Sequence, residues 1–177
     1  MSHSLVMKAL TVWQPWASLI AILAKPYEFR GRRPPPALIG QRIAIHAGAR
    51  KPRPAEVKDL IDRLETGGGT PPCLVADIAL PFLRRVYEGL TAPAPDSLFG
   101  EGSPAPFALP LSAIVCTAVL GEPKAGDACG REFGWSNDSD RDGTFNWGWP
   151  MQDVRPLVPA PPARGAQGFW NWQETAA

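Results

Sequence analysis

Hydrophobic and polar residues recur with two different periods along this chain, and the change of period divides it into short elements. The first helical stripe follows the i, i+3, i+4, i+7 spacing, at Trp16, Leu19, Ile20 and Leu23. Proline is tolerated in the first turn of a helix. The pattern therefore predicts a helix that begins at Pro15 and ends near Ala24.

Alternation with a period of two predicts strands on both sides of this helix. In Tyr27-Glu28-Phe29-Arg30 it places the two aromatic side chains on one face and the two charged ones on the other. The stretch 42–47 alternates in the same way, with Ile43 and Ile45 inward and Arg42, Ala44 and His46 on the opposite face. We expect it to pair with the strand before it. The further strands are predicted at 5–12, 113–120, 147–157 and 168–172.

Two further stretches favour helices. Residues 54–64 carry an apolar stripe opposite a charged face, which predicts a helix with a solvated outer side. Residues 74–90 fit either a strand over 75–80 or a helix interrupted by Pro81, and the helix fits more of the apolar positions.

Proline and glycine mark the breaks between these elements, because proline lacks a backbone donor and glycine resists ordering. They cluster at 34–36, 67–69, 91–110 and 159–162. The short strands outnumber the helices, which predicts an α+β fold: a small, strongly curved sheet or β-barrel with helices packed at its rim. A length of 177 residues fits a single domain.

The net charge of +1 excludes a global field that would attract nucleic acid. A local basic run exists, however, with seven cations in the 24 residues from 30 to 53. Its members are Arg30, Arg32, Arg33, Arg42, Arg50, Lys51 and Arg53. Such a run is typical either of phosphate contacts or of an ordinary solvated face.

Cysteine and histidine usage argues against structural bridges and metals. Three cysteines without a C-x-x-C pair, and two histidines, predict reduced thiols and no metal site. The acidic loop 138–143 lacks the later glutamate of a calcium-binding EF-hand, so we interpret it as a polar loop. The apolar stretch 10–24 is too short and interrupted for a membrane span. We expect a cytoplasmic protein without cofactor or membrane contact.

Candidate chemistry concentrates around the first helix. Lys25, Glu28 and Arg30 follow it within six residues and could serve as base and partner, as an anchor for an amide or amino group, or as a surface ion-pair cluster. Trp13 precedes the helix and is a candidate for stacking on a flat ring. Trp16 lies on the apolar stripe and is expected to pack in the core.

Other aromatic positions leave two interpretations open. Trp147 and Trp149 share one face of a predicted strand and suit either a ligand cleft or a core. His46, opposite the apolar side of its strand, could meet a phosphate or a base edge, or be a structural histidine with its hydrogen bonds satisfied. Neither pattern alone distinguishes these roles.

Several of these stretches together resemble the ASCH domain family. The resemblance rests on Leu10-Thr-Val-Trp-Gln-Pro-Trp-Ala-Ser-Leu-Ile, on 24–30, on 39–47, and on later matches at 111–120, 146–151 and 163–170. It covers one domain over 1–177, apart from an insertion at about 65–110. It implies a PUA-like β-barrel and binding of RNA or modified bases.

The family signature G-x-K-x-x-E-x-R matches at Lys25, Glu28 and Arg30, but Leu23 stands where the family has glycine. The resemblance implies a cleft lined by tryptophan and by these ionisable groups. The residues we expect to bind ligand are Trp13, Gln14, Lys25, Glu28, Arg30, Arg32, Arg42, His46 and Trp147.

Three functional hypotheses follow. The first is a nucleic-acid or nucleobase-binding protein, with single-stranded RNA, another single-stranded nucleic acid or a modified nucleoside as partner. The second is a hydrolase, a ribonuclease or an amidohydrolase on a modified nucleoside, with Lys25 and Glu28 catalytic. Similar amidohydrolases carry a threonine where this chain has Glu28, so the hydroxyl that would be their nucleophile or proton relay is missing here. The third is a protein-interaction domain that uses the proline-rich stretch 91–110.

Overall fold

The computed structural model of the chain describes residues 6–68, 72–93, 106–134 and 146–173. The strands of this part are β1 (Val6–Val12), β2 (Tyr27–Arg30), β3 (Arg42–Ala47), β4 (Ala113–Leu120), β5 (Lys124–Ala125), β6 (Trp147–Pro156) and β7 (Phe169–Gln173). The α-helices are α1 (Trp16–Ala21), α2 (Pro54–Thr66), α3 (Ala76–Thr91) and α4 (Gly126–Glu132), and Pro36–Leu38 form a 3₁₀ turn. The α+β class is confirmed, and so is the helical interpretation of the ambiguous stretch around Pro81.

All seven strands join one sheet in the order β2-β6-β4-β3-β1-β7, with β5 paired to β6. β3 pairs in parallel with β1 and antiparallel with β4, whereas β2 pairs with β6. The expected pairing of β2 with β3 is therefore wrong. The proline-containing connection between them carries the chain from the edge of the sheet to its centre.

The two ends of this order are β2 and β7, and within the described ranges no ladder joins them. The backbone hydrogen bonds thus leave the sheet open. A closed PUA-like barrel stays a prediction.

Helices cover one face of the sheet in two layers. α1 packs against the sheet through Ala17 and Ile20, together with Ile43 and Ile45 of β3. Leu19, on the other side of α1, joins a second core with α2 and α3. The opposite face of the sheet is also covered, by Trp172 and its neighbours.

Burial on both faces changes the interpretation of β3. Ala44 and His46, which the alternation places on the side away from the core, are only 0% and 2% exposed. Both lie on the face opposite Ile43 and Ile45, as the alternation predicts, and that face is buried because β7 and the preceding loop cover it. Two-sided burial is typical of central strands.

Local polar groups set both ends of α1. The Gln14 side-chain oxygen accepts a hydrogen bond from the Ser18 amide at 3.1 Å, which satisfies a donor of the first turn.

The helix ends at Ala21, three residues earlier than predicted, and the amides of Ala24 and Lys25 both donate to Leu19 O. Leu23 makes this reversal with a φ of +66°. Leu23 stands where the family signature has glycine. It makes the turn that leads into Lys25.

Two elements were not predicted, β5 and α4. They are fastened to β2 by Tyr27, whose hydroxyl donates to Glu132 at 2.6 Å and accepts from Lys124 at 2.8 Å. The acidic loop 138–143 lies outside the described residues. Cys73, Cys116 and Cys129 are buried, and none of them forms a disulfide within the described residues.

Candidate functional site

The end of β1, the start of β2 and the loop before β7 enclose a cavity of about 830 Å³. This size falls within the range of about 300–1,000 Å³ that is common for small-molecule sites. Its walls are formed by Thr11, Val12, Trp13, Trp16, Lys25, Glu28, Phe29, Arg30, Gly31, His46, Gly48, Ala49, Ser112, Asn146, Arg164, Gly165, Ala166, Gln167 and Gly168. The structure thus brings together Trp13, Lys25, Glu28, Arg30 and His46 of the predicted ligand-binding residues.

Three ionisable side chains form the charged part of the wall. Glu28 Oε1 lies 2.9 Å from Arg30 Nε, and Glu28 Oε2 lies 3.8 Å from Lys25 Nζ. The Arg30 Nε contact is an ion pair without hydrogen-bond alignment, and the other end of that guanidinium donates to Thr11 O at 3.0 Å. The side chains of Lys25 and Glu28 are only 2% and 9% exposed. Such burial is rare for lysine and glutamate on a surface face.

Aromatic rings adjoin this charged cluster. Lys25 Nζ lies 4.7 Å from the centroid of Trp16 and 5.3 Å from that of Phe29, within cation–π distance of both. Trp16 therefore belongs to the cavity wall as well as to the core. Trp13 is 57% exposed and carries the Arg50 guanidinium 4.9 Å from its centroid.

The loop formed by residues 163–168, here called the strap, closes one side of the cavity. Two side chains bind its backbone: Thr11 Oγ1 donates to Ala166 O at 2.7 Å, and His46 Nε2 lies 3.0 Å from Ala163 O. Gly165 sits directly on the His46 ring, since a Cβ there would lie 2.2 Å from Cε1. The strap is thus held at two carbonyls with Arg164 between them.

The role of His46 follows from its partners. A carbonyl oxygen only accepts, so Nε2 carries the proton and donates to Ala163 O. Nδ1 faces Thr11 Oγ1 at 3.2 Å, and the ring meets Trp170 edge to face. Burial lowers the pKa of His46 below its ordinary value of 6.5, with a smaller opposing effect from the Ala163 hydrogen bond. His46 therefore supports the strap as a neutral side chain.

Four predicted ligand-binding residues are absent from the cavity walls and have other contacts. Gln14 is 1% exposed and donates to Ser18 and to Pro110 O. Arg42 donates to Thr117 and pairs with Asp153, and Arg32 accepts, through its carbonyl, the Trp149 indole hydrogen. Trp147 lies under the Arg33 guanidinium at 4.7 Å.

Most cations of the basic run are paired with carboxylates, two of them with acids from distant parts of the chain. Arg33 pairs with Glu122 at 2.7 Å. Arg50 and Arg53 both pair with Glu56, whose pKa falls to about 2, mainly because its carboxylate accepts the Arg53 amide hydrogen. The positive charge of the run is therefore partly offset by these carboxylates.

Sequence reasoning missed the part of the wall that the strap contributes. Arg164 was not singled out, although the two glycines of the strap, directly after a proline-rich stretch, indicate a close backbone approach. Thr11, Ser112 and Asn146 were not singled out either, although they lie in stretches that resemble the family. Within the described ranges, no group of three or more histidine, cysteine, aspartate or glutamate side chains could hold a metal ion. None of the helices described there is long and apolar enough to cross a membrane.

Similar proteins are found among solved structures. No family model matches the chain, and no curated protein matches it. Among solved structures, the chain is similar to the ZmASCH S128A mutant protein from Zymomonas mobilis, with 14% sequence identity and a TM-score of 0.47. The match covers 94% of this chain and 88% of that one.

Proposed function

We propose that the cavity binds a nucleobase, presented by a modified nucleoside or by a single-stranded RNA. The observation that carries this proposal is the buried pair of Lys25 and Glu28. It places a donor and an acceptor 3.8 Å apart in the wall of a cavity that is also lined by aromatic rings.

The polar edge of a base matches this pair. Cytosine, adenine and uracil each present a donor beside an acceptor on their pairing edge, and lysine only donates while an ionised carboxylate only accepts. A base edge therefore fits against both groups, with its acceptor toward Lys25 and its donor toward Glu28.

Aromatic side chains supply the stacking surface that such a ligand needs. Trp13 keeps more than half of its surface exposed beside the cavity, and Arg50 covers one face of its ring. Stacking of a base on an aromatic side chain contributes about 1–3 kcal/mol. Trp13 is therefore the stacking partner in this proposal.

Several arginines of the basic run already form ion pairs with carboxylates. This favours a single nucleotide unit over a long strand as the ligand. Arg33 and Arg42, expected to hold backbone phosphates, are already paired with Glu122 and Asp153. A strand that followed these arginines would have to displace two carboxylates. Recognition is thus concentrated in the cavity.

Tryptophan fluorescence tests the proposal. Titration with ribonucleosides, acetylated cytidine and a short single-stranded RNA should change the emission of the wild-type chain. Lys25→Met should reduce the affinity by about tenfold or more, since a charged hydrogen bond is lost. The control is Lys58→Met on α2, whose ammonium pairs with Asp62 away from the cavity. Absence of any response to all these ligands would overturn the proposal.

Hydrolysis of the bound ligand is the second candidate, favoured by the same buried pair. Lys25 would act as base or nucleophile and Glu28 as its partner on an RNA phosphodiester or an acylated base. Product formation with wild-type chain, lost in Lys25→Met, supports it. Turnover that survives this substitution removes Lys25 from the mechanism.

A further inference from the structure

We infer that the cavity selects a nucleotide rather than a nucleoside, with Arg164 of the strap binding the phosphate. This inference rests on the proposed function, because it assigns a phosphate to the same base-binding site. It differs from the expectation drawn from the basic run, whose arginines are largely paired elsewhere.

The side chain of Arg164 differs from the other arginines around the site in its partners. It is exposed, lines the cavity, and makes no ion pair or hydrogen bond with any residue that the structure describes. By contrast, Arg30 pairs with Glu28, and Arg50 pairs with Glu56. Arginine matches phosphate oxygens through two parallel N–H donors. Among the described residues, Arg164 is thus the cavity-lining arginine that is accessible and has no ion-pair or hydrogen-bond partner.

The strap holds Arg164 in a fixed place. The carbonyls on either side of it, of Ala163 and Ala166, are bound by His46 and Thr11 at 3.0 and 2.7 Å. Gly165, in direct contact with the His46 ring, leaves little room for the strap to move inward. Anchoring reduces the entropy that a ligand would otherwise have to overcome.

The backbone of the strap offers additional donors. Within the described residues, the amides of 165–168 donate no backbone hydrogen bond. Backbone amides beside an arginine are common phosphate contacts. A phosphate beside Arg164 would therefore find more than one donor.

The charge of the cavity favours an anion. Its walls carry three cationic side chains, Lys25, Arg30 and Arg164, and one anionic side chain, Glu28. His46 is neutral and does not alter this balance. A neutral nucleoside would leave the wall with an excess of two positive charges, which a phosphate dianion compensates.

Calorimetric titration of the full chain tests this inference. The probes are adenosine, cytidine, guanosine and uridine, each as the free nucleoside and as its 5′- and 3′-monophosphate. For the base that binds, we expect a monophosphate to bind about tenfold more tightly than its nucleoside, as one bidentate arginine contact provides. This advantage should shrink as salt is raised.

Arg164→Gln is the matching variant. It should bring the nucleotide affinity down to that of the nucleoside, while nucleoside affinity stays within about twofold of wild type. The control is Arg155→Gln, which removes one charge from an exposed arginine that pairs with Asp153 on β6. That control should retain the preference for the monophosphate.

The outcomes separate the two proposals. If nucleosides bind and monophosphates bind no better, nucleotide selection is wrong and the base-binding cavity stands. If monophosphates bind better in both wild type and Arg164→Gln, the assignment to Arg164 is wrong. If no nucleoside and no nucleotide binds, the inference is wrong; if acetylated cytidine and the short single-stranded RNA also fail to bind, the proposed function fails with it.

Discussion

Gly165 and the His46 imidazole are in direct contact, so that a Cβ at position 165 would lie 2.2 Å from His46 Cε1. Since His46 is buried and hydrogen-bonded, its ring cannot swing away without losing the Ala163 contact. Gly165→Ala should therefore lower the free energy of unfolding by about 1–3 kcal/mol, the usual cost of overpacking. Urea denaturation measures this effect.

A double variant distinguishes the His46 contact from a general effect at position 165. In a His46→Ala background the ring is gone, so Gly165→Ala should cost less than in wild type. An equal cost in both backgrounds would show that the alanine is disfavoured for another reason.

The stability of the fold should depend on the protonation of His46. Burial lowers its pKa in the folded state below the ordinary 6.5, so the unfolded chain binds the proton more readily. The free energy of unfolding should therefore decrease as the pH falls below about 6.5, and level off below the folded pKa. Urea denaturation at several pH values between about 5 and 7.5 measures this slope.

His46→Gln provides the control for that slope. Glutamine keeps an N–H that can reach the Ala163 carbonyl but does not titrate, so the variant should show a flatter pH dependence. The carboxyls with lowered pKa values, such as Glu56 and Glu132, titrate in a more acidic range. An unchanged slope in His46→Gln would assign the effect to another group.

Hydrophobic periodicity predicted the local elements well and their arrangement poorly. β2, β3 and β4 have the predicted bounds, because alternation and β-branched runs are local signals. α4 was missed because its seven residues include two glycines and carry no apolar stripe. The partners of β3 are β1 and β4, and no local pattern states which strands meet.

In the candidate site, too, contacts between residues close in sequence were predictable and contacts between distant residues were not. Lys25, Glu28 and Arg30 lie close in sequence, and their meeting in one wall was predictable from a helix end followed by a strand. The neutralisation of the basic run was not, because Glu122 and Asp153 lie about 90 and 110 positions from the arginines they pair with. The strap reaches the cavity through contacts between β1, β3 and the chain before β7, which are equally non-local.

Leu23 adopts a left-handed backbone, with a φ of +66°, at a position where the side chain is 58% exposed. A Cβ in this conformation costs about 1–2 kcal/mol, and glycine avoids that cost. Leu23→Gly should therefore raise the free energy of unfolding by about 0.5–1 kcal/mol after the added entropy of the unfolded chain is subtracted. Thermal or urea denaturation measures the gain.

Leu23→Ala is the matched control for the backbone argument. It removes the exposed side chain but keeps the Cβ, so it should leave stability close to wild type. If alanine and glycine stabilise the chain equally, the gain comes from removing an exposed apolar side chain and not from relieving the left-handed turn.

Lys25 and Glu28, the two buried side chains of the charged cluster, should differ in their importance for stability. Lys25→Met leaves Glu28 paired with Arg30 at 2.9 Å and places an apolar chain of similar length between Trp16 and Phe29. Removing one partner of a buried ion pair is costly when it leaves the other charge uncompensated, and here Glu28 keeps its Arg30 partner. Lys25→Met should therefore cost less than about 1 kcal/mol, while it weakens ligand binding.

Glu28→Gln removes the anion that lies between the two cations. Lys25, only 2% exposed, would then face Arg30 without the carboxylate that separates their charges. Loss of one partner in a buried charge cluster typically costs about 3–5 kcal/mol, and the partial exposure of Arg30 places the expected loss at the lower end, about 3 kcal/mol. Urea denaturation of the two variants side by side measures the difference. If Lys25→Met destabilises the chain as much as Glu28→Gln, the carboxylate is not the residue that balances this cluster, and Lys25 holds the fold as well as the ligand.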